Sequence, residues 1–300
     1  MKPRASDLLL TAIAPAIWGS TYIVTTEFLP DYSPMTVAML RALPAGLLLL
    51  LIVRQLPAGI WWLRIFILGA LNFSIFWSML FVSAYRLPGG VAATVGAVQP
   101  LIVIFLAAAI LGNTIRPASV LAAMIGLGGV ALLVLTPQAA LDPVGIAAGL
   151  AGAVSMAFGT VLTRRWQPTV SLLAFTAWQL TAGGLLLVPV ALFAEPTVPV
   201  PTMPNLLGLV WLGLIGAALT YALWFRGIAR LDSAAVSSLG FLSPVTAVLL
   251  GWSFLGQTLT PLQIVGVVLV IGSIWLGQRP NRNSTPLSRE GDPASAGSKT

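Results

Sequence analysis

The side chains that could do chemistry in this sequence are few, and the missing ones narrow the options first. Histidine and cysteine are absent. Their absence removes the commonest general base, a common metal ligand and all thiol chemistry. Asp and Glu total eight, and none stands at the middle of an apolar run: Asp7 and Glu27 lie at run ends and Asp232 lies between runs. Without a nucleophile–base pair, paired carboxylates or a ligand cluster, an intramembrane enzyme has no machinery. No metal or cofactor is implied. What remains are groups that bind. Arg41 is the only charge well inside an apolar run. A guanidinium there is costly and suggests function, such as holding a substrate carboxylate; capping backbone carbonyls or reaching to the surface are the structural alternatives.

Two prolines, Pro100 and Pro244, stand inside apolar runs, preceded by Gln99 and Ser243. A helical proline has no N–H and leaves the carbonyl four residues back unbonded. Those carbonyls belong to Gly96 and Gly240. In lipid they must be met by protein, water or ligand. The prolines therefore read as hinges facing a central cavity, or as kinks that only shape packing. Aromatic residues follow a helical stripe: Phe73, Trp77, Phe81 and Tyr85 at i, i+4, i+8 and i+12. Trp18 and Tyr22 share a face of the first run, Trp178 lies in the seventh, and Tyr221 is the counterpart of Trp77. Lining a cavity, such rings favour flat apolar groups by stacking and ammonium by cation–π attraction; facing lipid, they only pack. Trp61, Trp62, Trp166 and Trp275 stand near run ends and read as interface anchors.

The elements that position these groups follow from composition. The chain has 300 residues, 58% hydrophobic and 8% charged, against about 25% charged in a soluble domain. Most of the surface must face lipid. The net charge of +7 is spread between apolar runs rather than clustered, which argues against a nucleic-acid partner. Ten runs reach or approach the roughly 20 residues a membrane helix needs: Asp7–Leu29, Ser33–Val53, Ile65–Tyr85, Gly90–Leu111, Ser119–Thr136, Val144–Thr163, Leu172–Ala194, Leu206–Arg226, Ala234–Leu255 and Leu262–Gly277. The opening MKPRASD and Ala12-Ile13-Ala14 resemble a signal peptide, but the run continues to Leu29 and has a counterpart later. It reads as a retained span. With the N-terminus inside, 13 of the 15 basic residues fall on the inner side, the positive-inside pattern. The reading is N-in/C-in.

The chain also repeats itself. RLPGGVAATVGAVQPLIVIFLAAAILGNTIRPASVLAAMIGLG recurs as RLDSAAVSSLGFLSPVTAVLLGWSFLGQTLTPLQIVGVVLVIG, at a constant offset of 144. Each copy ends its first run in an L-G-x-T-x-x-P turn. Ser33, Arg41 and Gly46 align with Ser171, Gln179 and Gly184, and Trp18-Gly19-Ser20 with Phe158-Gly159-Thr160. Residues 1–140 and 141–278 thus form five-helix units, and 279–300 reads as a disordered inner tail. Five is odd, so the second unit enters from the opposite face. The fold expected is all-α and integral to the membrane: ten transmembrane helices in two inverted five-helix repeats, with a site near mid-depth where they meet. The small-residue spacings Gly145-x-x-x-Gly149 and Gly126/Gly128/Gly129 suit close helix packing within the chain, or a dimer face.

Ten runs in two repeats, Arg41 before an AGLLLLL run, and the paired G-x-x-x-P…L-G-x-T-x-x-P blocks together resemble the drug/metabolite transporter superfamily, EamA type. The resemblance covers about Leu8 to Gly277. Within it, the aromatic-rich runs are most similar to the YddG-type bacterial exporters of aromatic amino acids. This implies an inner-membrane carrier working by alternating access, sufficient as a monomer, with a small metabolite and the lipid bilayer as partners. Export of aromatic or neutral amino acids is the leading expectation. Broad drug or metabolite efflux by the same fold is the alternative. The missing mid-depth carboxylate points away from proton coupling.

Overall fold

The computed structural model describes residues 5–87, 94–134, 142–195, 199–256 and 258–278; the side chains of Tyr22, Ala84 and Tyr85 lie outside the description, as do the expected unit boundary near 140 and the tail 279–300. Every described element is helical. Among these residues nine helices are long and apolar enough to cross a membrane: Ala5–Phe28, Pro34–Val53, Trp61–Ser83, Thr94–Leu111, Pro117–Val134, Pro143–Arg165, Leu172–Ala194, Met203–Arg230 and Ser233–Phe254. Pro261–Gly277 is a shorter tenth. These are spans one to ten in chain order, and each overlaps one run read from the sequence.

Local chemistry sets the span ends. Gly112 and Gly256, the glycines of the two L-G-x-T-x-x-P turns, take φ of 70° and 65°. That left-handed conformation suits glycine and stops a helix. They close spans four and nine. Thr260 then opens span ten with a capping box to Gln263. Asp142 opens span six by accepting from the N–H groups of Gly145 and Val144. The Gly145 bond, above all, holds its carboxyl below the usual carboxylate range. Span two is capped from elsewhere. Glu195, just past span seven, accepts from Met35 N–H at 2.7 Å, Thr36 N–H at 2.7 Å and Thr36 Oγ1 at 2.8 Å. Glu195→Ala strips all three bonds and should cost about 1–3 kcal/mol. A fall of several degrees in the melting temperature of detergent-solubilised protein checks this.

The core forms where sequence-equivalent helices meet. Span two packs on span seven and span five on span ten. A Cβ on Gly46 would stand 2.5 Å from Thr181 N, and one on Gly184 would stand 2.7 Å from Leu43 Cα. Rising numbers on one helix meet falling numbers on the other, so the two run antiparallel. Spans five and ten do the same, with Gly129 against Val270, Gly266 against Leu133 and Gly277 against Ala122. Span one packs on span eight and span six on span three, so the cross-contacts come in matched pairs. Gly145, Gly149 and Gly126 rest against Leu87, Ser83 and Phe241 of the same chain. Gly128 faces open space.

Five spans are interrupted. Span one breaks at Gly19–Ser20, span four at Ala97–Val98 and span nine at Gly240–Phe241. Spans three and eight carry π-helical segments at Ala70–Ser74 and Trp211–Leu219, which overlap at the repeat offset. This changes the expected role of the prolines. Pro100 and Pro244 sit in the first turns of new helices, Gln99–Leu111 and Leu242–Phe254, where a missing N–H is tolerated. They do not kink continuous ones. The Gly240 carbonyl, expected to be free, accepts from Ser243 N–H at 3.1 Å in the tight turn.

Candidate functional site

The interruptions enclose a cavity of about 300 Å³. Span one brings Trp18, span two Arg41, span three Trp77 and Phe81, and span four Gly96, Gln99 and Pro100. Span eight brings Tyr221 and Trp224, and span nine Gly240, Ser243 and Pro244. Span six closes one wall with the small face Gly149, Gly152 and Ala153, together with Met156. Residues from both halves therefore surround the space.

One wall is aromatic. The Trp18 ring lies 5.0 Å from Tyr221 and 5.1 Å from Trp224, and Trp77 lies 6.4 Å from Tyr221. The Trp18 indole N–H donates to Thr220 Oγ1 at 2.9 Å, and Thr220 Oγ1 donates to the Gly216 carbonyl at 2.8 Å. Arg41 does not reach for the surface. Its Nη2 donates to the same Gly216 carbonyl at 2.9 Å, and its guanidinium lies 4.7 Å from the Trp77 ring centre. The π segment explains the acceptor: shifted bonding turns carbonyls out of the α register. In the matching segment of span three, the Leu71 carbonyl takes the Ser155 hydroxyl at 2.8 Å. Three buried donors of the lining have no partner: Arg41 Nε, Gln99 Nε2 and Trp224 Nε1. Among the described lining residues there is no Asp or Glu, and no cluster able to hold a metal occurs among the described residues. The cavity offers donors, one cation and ring faces.

Eleven residues singled out from the sequence meet here: Trp18, Arg41, Trp77, Phe81, Gly96, Gln99, Pro100, Tyr221, Gly240, Ser243 and Pro244. Tyr22 and Tyr85 have side chains outside the described residues. Phe73 and Trp178 do not line the space. Phe73 sits in the π segment, where the wider turn rotates it off the stripe. It is fully buried behind Tyr221, with ring centres 4.6 Å apart. Trp178 packs with Ile65, Leu68 and Phe175 and donates its indole N–H to the Gln55 carbonyl at 2.6 Å. Span seven turns its small face to span two, which sends Trp178 the other way. The small face of span six was not foreseen as lining. Trp224 lies one turn beyond Tyr221, and that spacing is the signal that finds it.

The lining residues of spans one to four lie toward one end of the bundle, and a cluster of Arg bonds ties helix ends together at the other. Asp7 pairs with Arg226 at 2.6 Å and Arg230 at 3.4 Å. Arg116 pairs with Asp232. Arg164 Nη1 donates to the carbonyls of Leu231 and Ile228, the latter at 2.6 Å, and Arg165 Nη1 to that of Ile110 at 2.8 Å. These bonds join the ends of spans one, four, six and eight.

Comparison with known proteins agrees with this architecture. The EamA-like transporter family model matches residues 6–135 and again 143–277. The chain is 45% identical over 267 residues to protein PecM of Dickeya dadantii (strain 3937), covering 88% of this chain and 90% of PecM. It is 29% identical over 265 residues to the uncharacterized inner membrane transporter YedA of Escherichia coli (strain K12), covering 87% and 86%. It is 28% identical over 283 residues to the WAT1-related protein At3g02690, chloroplastic, of Arabidopsis thaliana, covering 89% and 68%. A solved crystal structure matches with a TM-score of 0.78 over 91% of this chain and 98% of that one; at 22% identity it shows the fold alone. Two family matches end to end, on a bundle of apolar spans around a cavity, lead to one conclusion: the chain belongs to the EamA-like transporter family and is a membrane transporter.

Proposed function

We propose that this transporter exports small metabolites across the bacterial inner membrane by alternating access, with aromatic and other neutral amino acids as its first candidate cargo. The observation that carries this reading is the pairing of an aromatic wall with unpartnered buried donors and no acid. A substrate carboxylate would take Arg41 Nε, Gln99 Nε2 or Trp224 Nε1. Its ring would stack on Trp18, Trp77 or Tyr221, at roughly 0.5–1.5 kcal/mol per pair. Its ammonium would face the same rings.

The antiparallel meeting of sequence-equivalent helices supports two inverted halves. The basic residues support an inner location for both termini. On that reading the tied end is cytoplasmic, and the cavity faces outward. The described lining residues come from both halves of one chain, which is the ground for taking a monomer as the transporting unit.

Labelled phenylalanine, tryptophan and leucine in counterflow across proteoliposomes test the proposal. Saturable, trans-stimulated uptake of the aromatic pair supports it. Flux that rises linearly, or that prefers cationic drugs over every amino acid, overturns it. Without an acid in the lining, collapsing the pH gradient should leave flux within twofold. A strict requirement for a gradient would refute passive exchange.

A further inference from the structure

Half of the cavity residues pair with another cavity residue under the repeat. Trp77 answers Tyr221, Gly96 answers Gly240, Gln99 answers Ser243 and Pro100 answers Pro244. Arg41 does not. Its counterpart, Gln179, is fully buried and stands outside the cavity. The neighbours of Gln179 mirror those of Arg41. Arg41 binds Gly216 in the π segment of span eight. Gln179 binds Asn72, the residue equivalent to Gly216, in the π segment of span three: Asn72 Nδ2 donates to Gln179 Oε1 at 2.8 Å. The same Nδ2 donates to Thr163 Oγ1 at 3.1 Å.

This cluster is left incomplete. Gln179 Nε2, Asn72 Oδ1 and Thr160 Oγ1 are buried without a partner. Groups that serve packing alone are satisfied when buried, because an orphan is expensive. The cluster also depends on a notch. A Cβ on Gly159 would lie 2.0 Å from Asn72 Oδ1, so the amide fits only beside glycine. Thr160 and Gly159 are themselves the counterparts of Ser20 and Gly19, at the break in span one.

We infer that Gln179 and Asn72 form a second substrate contact, the inner counterpart of Arg41, sealed here and opened when the two halves exchange shapes. The inference rests on alternating access as proposed above. In the inward-facing state Gln179 Nε2 donates to the carboxylate of the arriving substrate, and Arg41 is withdrawn from it. The two contacts differ in charge: a guanidinium serves the outer side and a neutral amide the inner. A carboxylate-bearing substrate therefore binds more tightly from outside than from the cytoplasm.

The native chain has no cysteine, so a single introduced thiol is the only target for a membrane-impermeant methanethiosulfonate. Gln179→Cys and Asn72→Cys, made separately, should react in inverted vesicles and not in right-side-out ones. Arg41→Cys should show the reverse. Either inner variant suffices if the other does not fold. Reaction at Arg41→Cys from outside, with both inner positions silent from both faces, overturns the inference and leaves the transport function standing. Silence at all three overturns the inference together with the alternating access it rests on. With labelled phenylalanine, Gln179→Ala should raise the half-saturation concentration on the cytoplasmic side about tenfold and leave the outer side within twofold. An equal change on both sides refutes the sidedness.

Discussion

Arg41→Gln should raise the outer half-saturation concentration for a carboxylate-bearing substrate by about ten- to a hundredfold while the protein stays folded. A charge-assisted hydrogen bond is worth about 1.5–3 kcal/mol, and about 1.4 kcal/mol is a factor of ten. The structure separates two duties of this side chain. Nη2 holds the Gly216 carbonyl, a tie between spans two and eight that glutamine can partly replace. Nε is buried and unpartnered on a residue that lines the cavity, and glutamine offers no charge in its place. Lysine should not restore affinity, because its ammonium lacks the planar fork that bonds a carbonyl and a carboxylate together. Concentration-dependent flux in proteoliposomes, beside a melting curve for each variant, checks the assignment. Unchanged half-saturation with a lowered melting temperature would make Arg41 a strut and nothing more.

Gly46→Val should abolish the folded carrier. A Cβ there meets Thr181 N at 2.5 Å, Thr181 Oγ1 at 2.7 Å and Leu180 C at 2.9 Å. Two of these are backbone atoms that cannot swing away, so the helices must part along the whole interface. Overpacking costs about 1–3 kcal/mol when side chains yield; here it should reach or pass the upper figure. Gly184→Val should fail in the same way from the other side, against Leu43. Gly128→Val is the control, with nothing within 4 Å. Monodispersity after detergent extraction is the readout. A native-like profile for Gly46→Val would show that the interface between spans two and seven is looser than these distances say.

The legible part of the fold was whatever a repeat or a backbone requirement writes into residue type. Gly112 and Gly256 announced their turns because a left-handed residue favours glycine. Pro100 and Pro244 announced broken helices, and the breaks fall at Ala97–Val98 and Gly240–Phe241, two to four residues before each proline. The cavity was found through residues matched between halves, such as Trp77 with Tyr221. Phe73 was misplaced because nothing in ALNFS marks a π segment, and a wider turn spoils any count by fours. Trp178 was misplaced because its direction is set by which face of span seven meets span two, a tertiary choice. The buried amides Asn72 and Gln179 drew no notice as a pair, since they stand 107 positions apart.

The Gly46–Thr181 contact also bears on how the molecule is made. Its partners lie 135 residues apart in the chain. At roughly 5–20 residues per second, the glycine face of span two must wait several seconds or more in the bilayer before span seven leaves the ribosome. During that interval the nascent first half holds a narrow stripe able to accept any small-faced helix nearby. Quality control during biogenesis should therefore act on that half-finished intermediate, and chains truncated before span seven should be cleared fastest.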